Sequence, residues 1–343
     1  MSSDFRQQLI DSVHPEGREL YQKSFDQIST AVNRKAEIRA INLRIVKGIN
    51  QLSLQEAQLT TTGLATSDGK IFDCGAAMVR NFEGVWKRYS GKDSAHPTRL
   101  FSSYDPSTAQ FSLWAEGDDG LLLTEKKIFD ASILNSREGD IISAKFGVST
   151  VLDGVLEEGK LTDHIRECLS SFEKEVENIG LLLRHPTFHR SSDTRSVPQK
   201  NIDTLYSDGA QIHVMNRGTV EDQQSALLGM KSLRAGVEFD GGELPPNIED
   251  WIGEIDIETV RDGRIPLNFT SLTPRCLVTQ RDVRTGEIHA EPKLWLKKYR
   301  PLRPWDQLAT LGANVDMNPE FHGAIIRVGD RFTVTAEKTD WRT

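Results

Sequence analysis

Apolar residues in this chain come in short runs broken by turn formers, a rhythm that few architectures accept. Leu52-Ser53-Leu54, Ala57-Gln58-Leu59-Thr60, Phe111-Ser112-Leu113-Trp114 and Ile212-His213-Val214-Met215 suit strands and are too short for helices. Thr62-Gly63 reads as a turn, and Asp105-Pro106-Ser107 as the bend of a hairpin. Gly120-Leu121-Leu122-Leu123 and Leu277-Val278-Thr279 continue the strand rhythm, as do residues 180–185, 237–239, 253–257 and 324–328. Strands do not alternate with helices as a βαβ sheet requires, which argues against a Rossmann-type fold. The pattern predicts a mixed α/β chain in which β structure dominates.

Helical signals are fewer. Leu9, Ile10, Val13, Tyr21, Phe25, Ile28 and Val32 form a partial stripe, clearest from about residue 18 onward, so residues 1–34 read as one or two surface helices packed on the body. Ile165, Leu169 and Phe172 give another helical face, with Thr162 or Asp163 as its N-cap. Thr219 reads as the cap of a further helix with Asp222 three residues on, and residues 293–299 as a short amphipathic helix. Residues 186–204 are polar and read as a long loop.

Composition removes several classes of function. A chain of 343 residues suits one large or two medium domains. A net charge of −8 argues against nucleic acid as the partner, because phosphate binding wants a positive surface. Cys74, Cys168 and Cys276 lie far apart with no CxxC pair, which is not a disulfide framework. No apolar run approaches the roughly 20 residues that span a bilayer, and the N-terminus lacks a signal-peptide layout. The expectation is a cytoplasmic protein with no membrane partner.

The stretch Thr273-Pro274-Arg275-Cys276 concentrates the chemistry. A thiolate is a soft metal ligand, and a neighbouring guanidinium favours the thiolate form. His185 with His189, and His164 with Cys168, stand four apart, but neither pair has a second pair to complete a zinc site. Cys168 beside Leu169 reads as core, and so do Trp251, Trp295 and Trp305.

In order and spacing, Arg275-Cys276, the run 282–286, Glu291-Pro292, Leu296, Tyr299-Arg300, Leu311-Gly312-Ala313-Asn314 and residues 323–330 resemble the signature of MOSC-domain proteins. Leu233-Arg234-Ala235-Gly236-Val237, followed by Glu249-Asp250-Trp251, is similar to the family's upstream segments; Pro245-Pro246-Asn247-Ile248 is a competing alignment. Val46-Lys47, Ala57-Gln58-Leu59-Thr60 and Gly63-Leu64 resemble its N-terminal half. The resemblance covers about residues 36–335. With residues 1–34 as a helical extension, it implies an N-terminal β-barrel-like domain over 35–180 and a MOSC β-barrel over 181–343, with a cleft between the barrels.

By resemblance to the amidoxime-reducing members, Cys276 would be the catalytic cysteine and molybdenum ligand. Lys47, Arg234, Arg275 and Asn314 would contact the molybdenum cofactor, a molybdopterin. The implied activity is reduction of N-hydroxylated small molecules, with electrons from a separate donor protein. Two departures stand out: Gly48 replaces a serine, and the arginine expected near residues 67–70 is absent. Two other readings remain open, a sulfur carrier using a Cys276 persulfide and a non-catalytic binding module.

Overall fold

The computed structural model of the chain describes residues 3–26, 29–146, 151–184, 190–191, 203–204, 210–221, 233–240, 244–282, 285–304 and 307–340. Two helices come first, α1 (Ser3–Ser12) and α2 (Pro15–Asp26). Then follow β1 (Lys35–Leu43), β2 (Val46–Lys47), β3 (Leu52–Leu54), β4 (Glu56–Thr60), β5 (Gly63–Thr66), β6 (Ala76–Phe82) and β7 (Val85–Arg88). β8 (Leu100–Asp105), β9 (Gln110–Ala115) and β10 (Lys127–Asp130) make a three-stranded sheet. Next are β11 (Asp140–Lys145), β12 (Val151–Glu157), α3 (Lys160–Ser170) and β13 (Ile179–Leu183). The second half adds β14 (Arg190–Ser191), β15 (Asp203–Thr204), β16 (Ile212–Asn216), α4 (Arg217–Glu221), β17 (Val237–Asp240), β18 (Ile252–Thr259) and β19 (Gly263–Pro274). It ends with α5 (Glu291–Tyr299), β20 (Thr310–Met317), β21 (Ile325–Arg327) and β22 (Arg331–Glu337).

The strands close into two barrels, and strand outweighs helix by 43% to 22%, as the sequence rhythm predicts. The larger runs β17-β16-β20-β19-β18-β22-β1 and shuts when β1 pairs back onto β17. The smaller runs β13-β12-β11-β7-β6 and shuts through β6 and β13. Closure removes the free edges that an open sheet would expose. Curvature comes from irregularities: β19 slips register between Phe269 and Ser271 and again between Leu272 and Pro274.

Period-two burial builds the larger core. Ile265, Leu267 and Phe269 of β19 face it together with Phe239, Ile257 and Phe332. Phe5 and Leu9 of α1, Val13 of the link and Tyr21 and Phe25 of α2 enter the same core, and the Phe25 and Trp251 ring centroids are 3.9 Å apart. The two helices are therefore packed into the larger barrel's core, more deeply built in than surface attachments. β1 likewise belongs to the larger barrel by pairing, although it lies in the 35–180 segment. Its last residue, Leu43, joins Ile45, Val46 and Ile49 in the smaller barrel's core. The chain thus crosses from one core to the other just before Lys47.

Several local expectations need correction. α3 starts with Gly159 as its N-cap, not Thr162 or Asp163, because the Glu157 carboxylate accepts from Gly159 N at 2.9 Å and Thr162 N at 2.8 Å. Asn216 Oδ1 accepts from Gly218 N at the start of α4, so Thr219 sits inside that helix; Asp222 lies outside the described residues. Leu277–Gln280 is a 3₁₀ turn, not a strand; it follows Pro274, which has no N–H to extend the ladder. Leu121, Leu122 and Leu123 stand exposed on a loop. In the region read as a polar loop, β14 and β15 pair as a ribbon. His185, His189 and Trp305 lie outside the described residues.

Candidate functional site

Three segments meet at the seam between the barrels. β2 carries Lys47, which is buried, and the chain then turns at Gly48 with φ +110. A β-carbon there would stand 3.3 Å from Met78 Cε and 3.5 Å from Ser90 Cα. Glycine alone adopts that backbone without strain, which accounts for the missing serine. Ile49 O accepts a hydrogen bond from Arg234 Nη2 at 2.7 Å. The carbonyl of the preceding Leu233 accepts from Arg275 Nη1 at 3.0 Å. One residue on, Cys276 opens the 3₁₀ turn, whose Val278 methyls lie 3.7 Å from where a Gly91 β-carbon would be. Arg281 Nε donates to Gly91 O, and Ser90 returns to Gly48. Hydrogen bonds thus tie the segment after Lys47 to Arg234, and the residue before Arg234 to the one before Cys276.

Lys47, Arg234, Arg275 and Cys276 do not play equal parts. Cys276 is a free, half-buried thiol whose sulfur has no hydrogen-bond partner among the described residues. The Arg275 guanidinium is taken up by protein: besides Leu233 O it donates to Leu311 O and, at 2.7 Å, to His213 Nε2. Burial lowers Arg275 to about 9, so it stays charged near neutrality. It braces the strands under Cys276, and its Nε is buried with no hydrogen-bond partner among the described residues.

Asn314 is also committed to the framework. Its Nδ2 donates to Ser271 Oγ at 3.0 Å and its Oδ1 accepts from Thr273 Oγ1 at 3.0 Å. Both contacts fasten β20 to β19 just before Arg275, so the side chain is a staple in the sheet.

Residues not singled out in the sequence complete the seam. His213, the Cα partner of Asn314, has its Nδ1 3.5 Å from Arg234 O and its Nε2 on Arg275. Burial, reinforced by the Arg275 charge, holds His213 well below the usual histidine range, so the ring is neutral. The signal was a single histidine in an otherwise apolar strand. Arg44 pairs with Asp73 at 2.6 Å. Arg44, Lys47 and Arg234 all act electrostatically on Cys74, yet burial dominates and pushes that thiol up to about 11. Cys74 is an inert neighbour, and Cys276 is the accessible thiol of the seam.

Two motif regions behave differently. Residues 67–70 form a turn closed by Asp68, which accepts from Thr66 Oγ1 at 2.6 Å, from Lys70 N at 3.2 Å and from Tyr104. Glu249, Asp250, Trp251 and Arg300 converge instead in the larger barrel. There Arg300 holds Asp250 through bonds of 2.7 and 2.9 Å. The charges of Glu249 and Arg300 reach Arg275 with opposite effect.

A scan against protein-family models finds no match, and a search of curated proteins finds none either. Fold and site together define a class: a β-dominated, two-barrel protein with an accessible cysteine on the rim of a basic seam. No helix among the described residues is long and apolar enough to cross a membrane.

Proposed function

We propose that this chain is a molybdenum-cofactor oxidoreductase of the MOSC type that reduces N-hydroxylated small molecules. The observation that carries the reading is that hydrogen bonds tie the segment after Lys47 to Arg234, and the residue before Arg234 to the residue before Cys276. A single accessible thiol suits a metal whose other donors arrive with an organic cofactor. A protein-built zinc site needs three or four ligands, and no such group of His, Cys, Asp and Glu occurs among the described residues. Lys47 and Arg234 would hold the anionic phosphate, and Cys276 would ligate the metal. Arg275, His213 and Asn314 would keep the Cys276 turn in place. When bound, the cofactor supplies two-electron oxygen-atom chemistry. The overall reaction takes an N–OH group, two electrons and two protons to N–H and water, with the electrons from a separate donor protein.

Metal analysis of protein made in a cofactor-competent host tests this reading. The expected result is molybdenum together with pterin fluorescence after oxidation, both lost in Cys276→Ala. Protein free of both overturns it. The unpartnered Cys276 sulfur also suits a persulfide carrier, for which a gain of one sulfur atom at Cys276 after incubation with a desulfurase is the mark.

A further inference from the structure

The His213 ring makes two contacts of opposite kind. Its Nε2 lies 2.7 Å from Arg275 Nη2, and a guanidinium can only donate, so Nε2 is the acceptor. A neutral ring then carries its proton on Nδ1, and that atom is 3.5 Å from Arg234 O. Arg275 thus fixes the tautomer, and the donor that remains faces Arg234. The loop of contacts is closed, because Arg275 Nη1 donates at 3.0 Å to the carbonyl of Leu233, the residue before Arg234.

The neighbouring strand leaves room for this ring. Gly312 of β20 has φ +76, and a β-carbon there would stand 2.7 Å from His213 Nε2. On the other side, Arg234 holds φ +56, a left-handed conformation that a residue with a β-carbon enters at a cost. Such a backbone persists where its surroundings over-determine it. Here His213 O accepts from Gly236 N at 2.8 Å, and Ala235 O accepts from Gln51 Nε2 at 2.9 Å and from Asn42 Nδ2 at 3.2 Å. From this turn the Arg234 side chain reaches Ile49 O at 2.7 Å, in the segment after Lys47. His213 therefore touches the turn that aims Arg234 and the side chain that precedes Cys276.

We propose, resting on the reading of Arg234 as an anion contact, that His213 is a positioning residue with two separable tasks. Its Nδ1–H holds the left-handed Arg234 turn so that the guanidinium can receive a phosphate-sized oxyanion. Its Nε2 holds Arg275 so that the Cys276 turn keeps its place.

Two substitutions divide the ring. The amide nitrogen of asparagine falls near Nδ1, and the amide oxygen of glutamine can fall near Nε2. His213→Asn keeps the donor to Arg234 O and loses the acceptor for Arg275, and His213→Gln does the reverse. The anion probe is inorganic sulfate on the cofactor-free protein, taken as the binding that Arg234→Gln removes. The turn is followed by amide hydrogen exchange over residues 276–281. His213→Gln should weaken that sulfate binding about fivefold and leave exchange in the turn as in the parent. His213→Asn should speed exchange in the turn about tenfold and leave sulfate binding within about twofold. A role in barrel stability alone moves both readouts together in both variants, and that result overturns the proposal. Sulfate binding indifferent to Arg234, or a variant that fails to fold, overturns it too. Neither readout needs molybdenum, so the split can appear in a protein that binds none and can fail in one that does.

Discussion

The two barrels hold their shape by different means. The larger closes over charge. Arg300 is fully buried, donates to both oxygens of Asp250, and is joined by Asn247 and Thr310 O. Tyr21 of α2 donates to Asp250 at 2.5 Å, and Thr219 donates to Glu249 at 2.7 Å. Glu249 Oε1 and Lys338 Nζ are buried with no hydrogen-bond partner among the described residues. The smaller barrel closes over aliphatic side chains such as Met78, Val155, Ile179, Leu181 and Leu183. Removing charge from water is costly unless each group is paired, whereas apolar packing is indifferent to protonation. The larger barrel therefore has a stability that responds to pH, and Cys276 follows its strand β19.

Arg300→Leu tests the contrast most severely. It leaves Asp250 buried without its cation and should destabilise the fold by about 3–5 kcal/mol in urea titration. A loss below about 1 kcal/mol would remove the buried pair as the larger barrel's distinguishing support. In the smaller barrel, Leu181→Ala should cost about 3 kcal/mol through the cavity it opens. That cost should stay level from acid to alkaline buffer, and a pH-dependent loss would erase the distinction.

Glu249→Gln gives the finest test. Burial, with the Asp250 charge adding to it, pushes Glu249 from its ordinary 4.5 up to about 7. Between these values the folded state holds a proton that the unfolded state has lost. The stability this group contributes is thus present below about pH 4.5 and is lost as pH rises through 7. The glutamine keeps an acceptor for Thr219 and removes the titration. It should gain on the parent across that window, reaching about 3 kcal/mol at pH 8. Melting curves that differ by a constant amount at every pH would mean that Glu249 is already ionised in the fold.

Much of the secondary structure was legible because its cause is local. The hairpin of β8 and β9, the β4–β5 turn and α5 follow from side-chain period and turn chemistry. The Leu277–Gln280 turn was misread because short apolar runs fit several backbones, and the proline before it was the better signal. Within the seam, the motif order picked out Lys47, Arg234, Arg275 and Cys276, but not what each side chain touches. Arg275 is held by Leu233 O, Leu311 O and His213, groups from three distant parts of the chain. No spacing rule could forecast those partners.

The sequence by itself determined that this chain is β-dominated and that one cysteine stands apart in a motif-bearing stretch. Alternation, turn residues and proline act over a few neighbours, so they can be read without the fold. Tertiary structure alone decided that α1, α2 and β1 belong to the larger barrel. It alone decided that Cys276 remains accessible while Cys74 is sealed, and that Arg275 and Asn314 serve the framework. Barrel closure and burial depend on residues far apart in the chain, and solvent exclusion sets which thiols and charges remain available for chemistry.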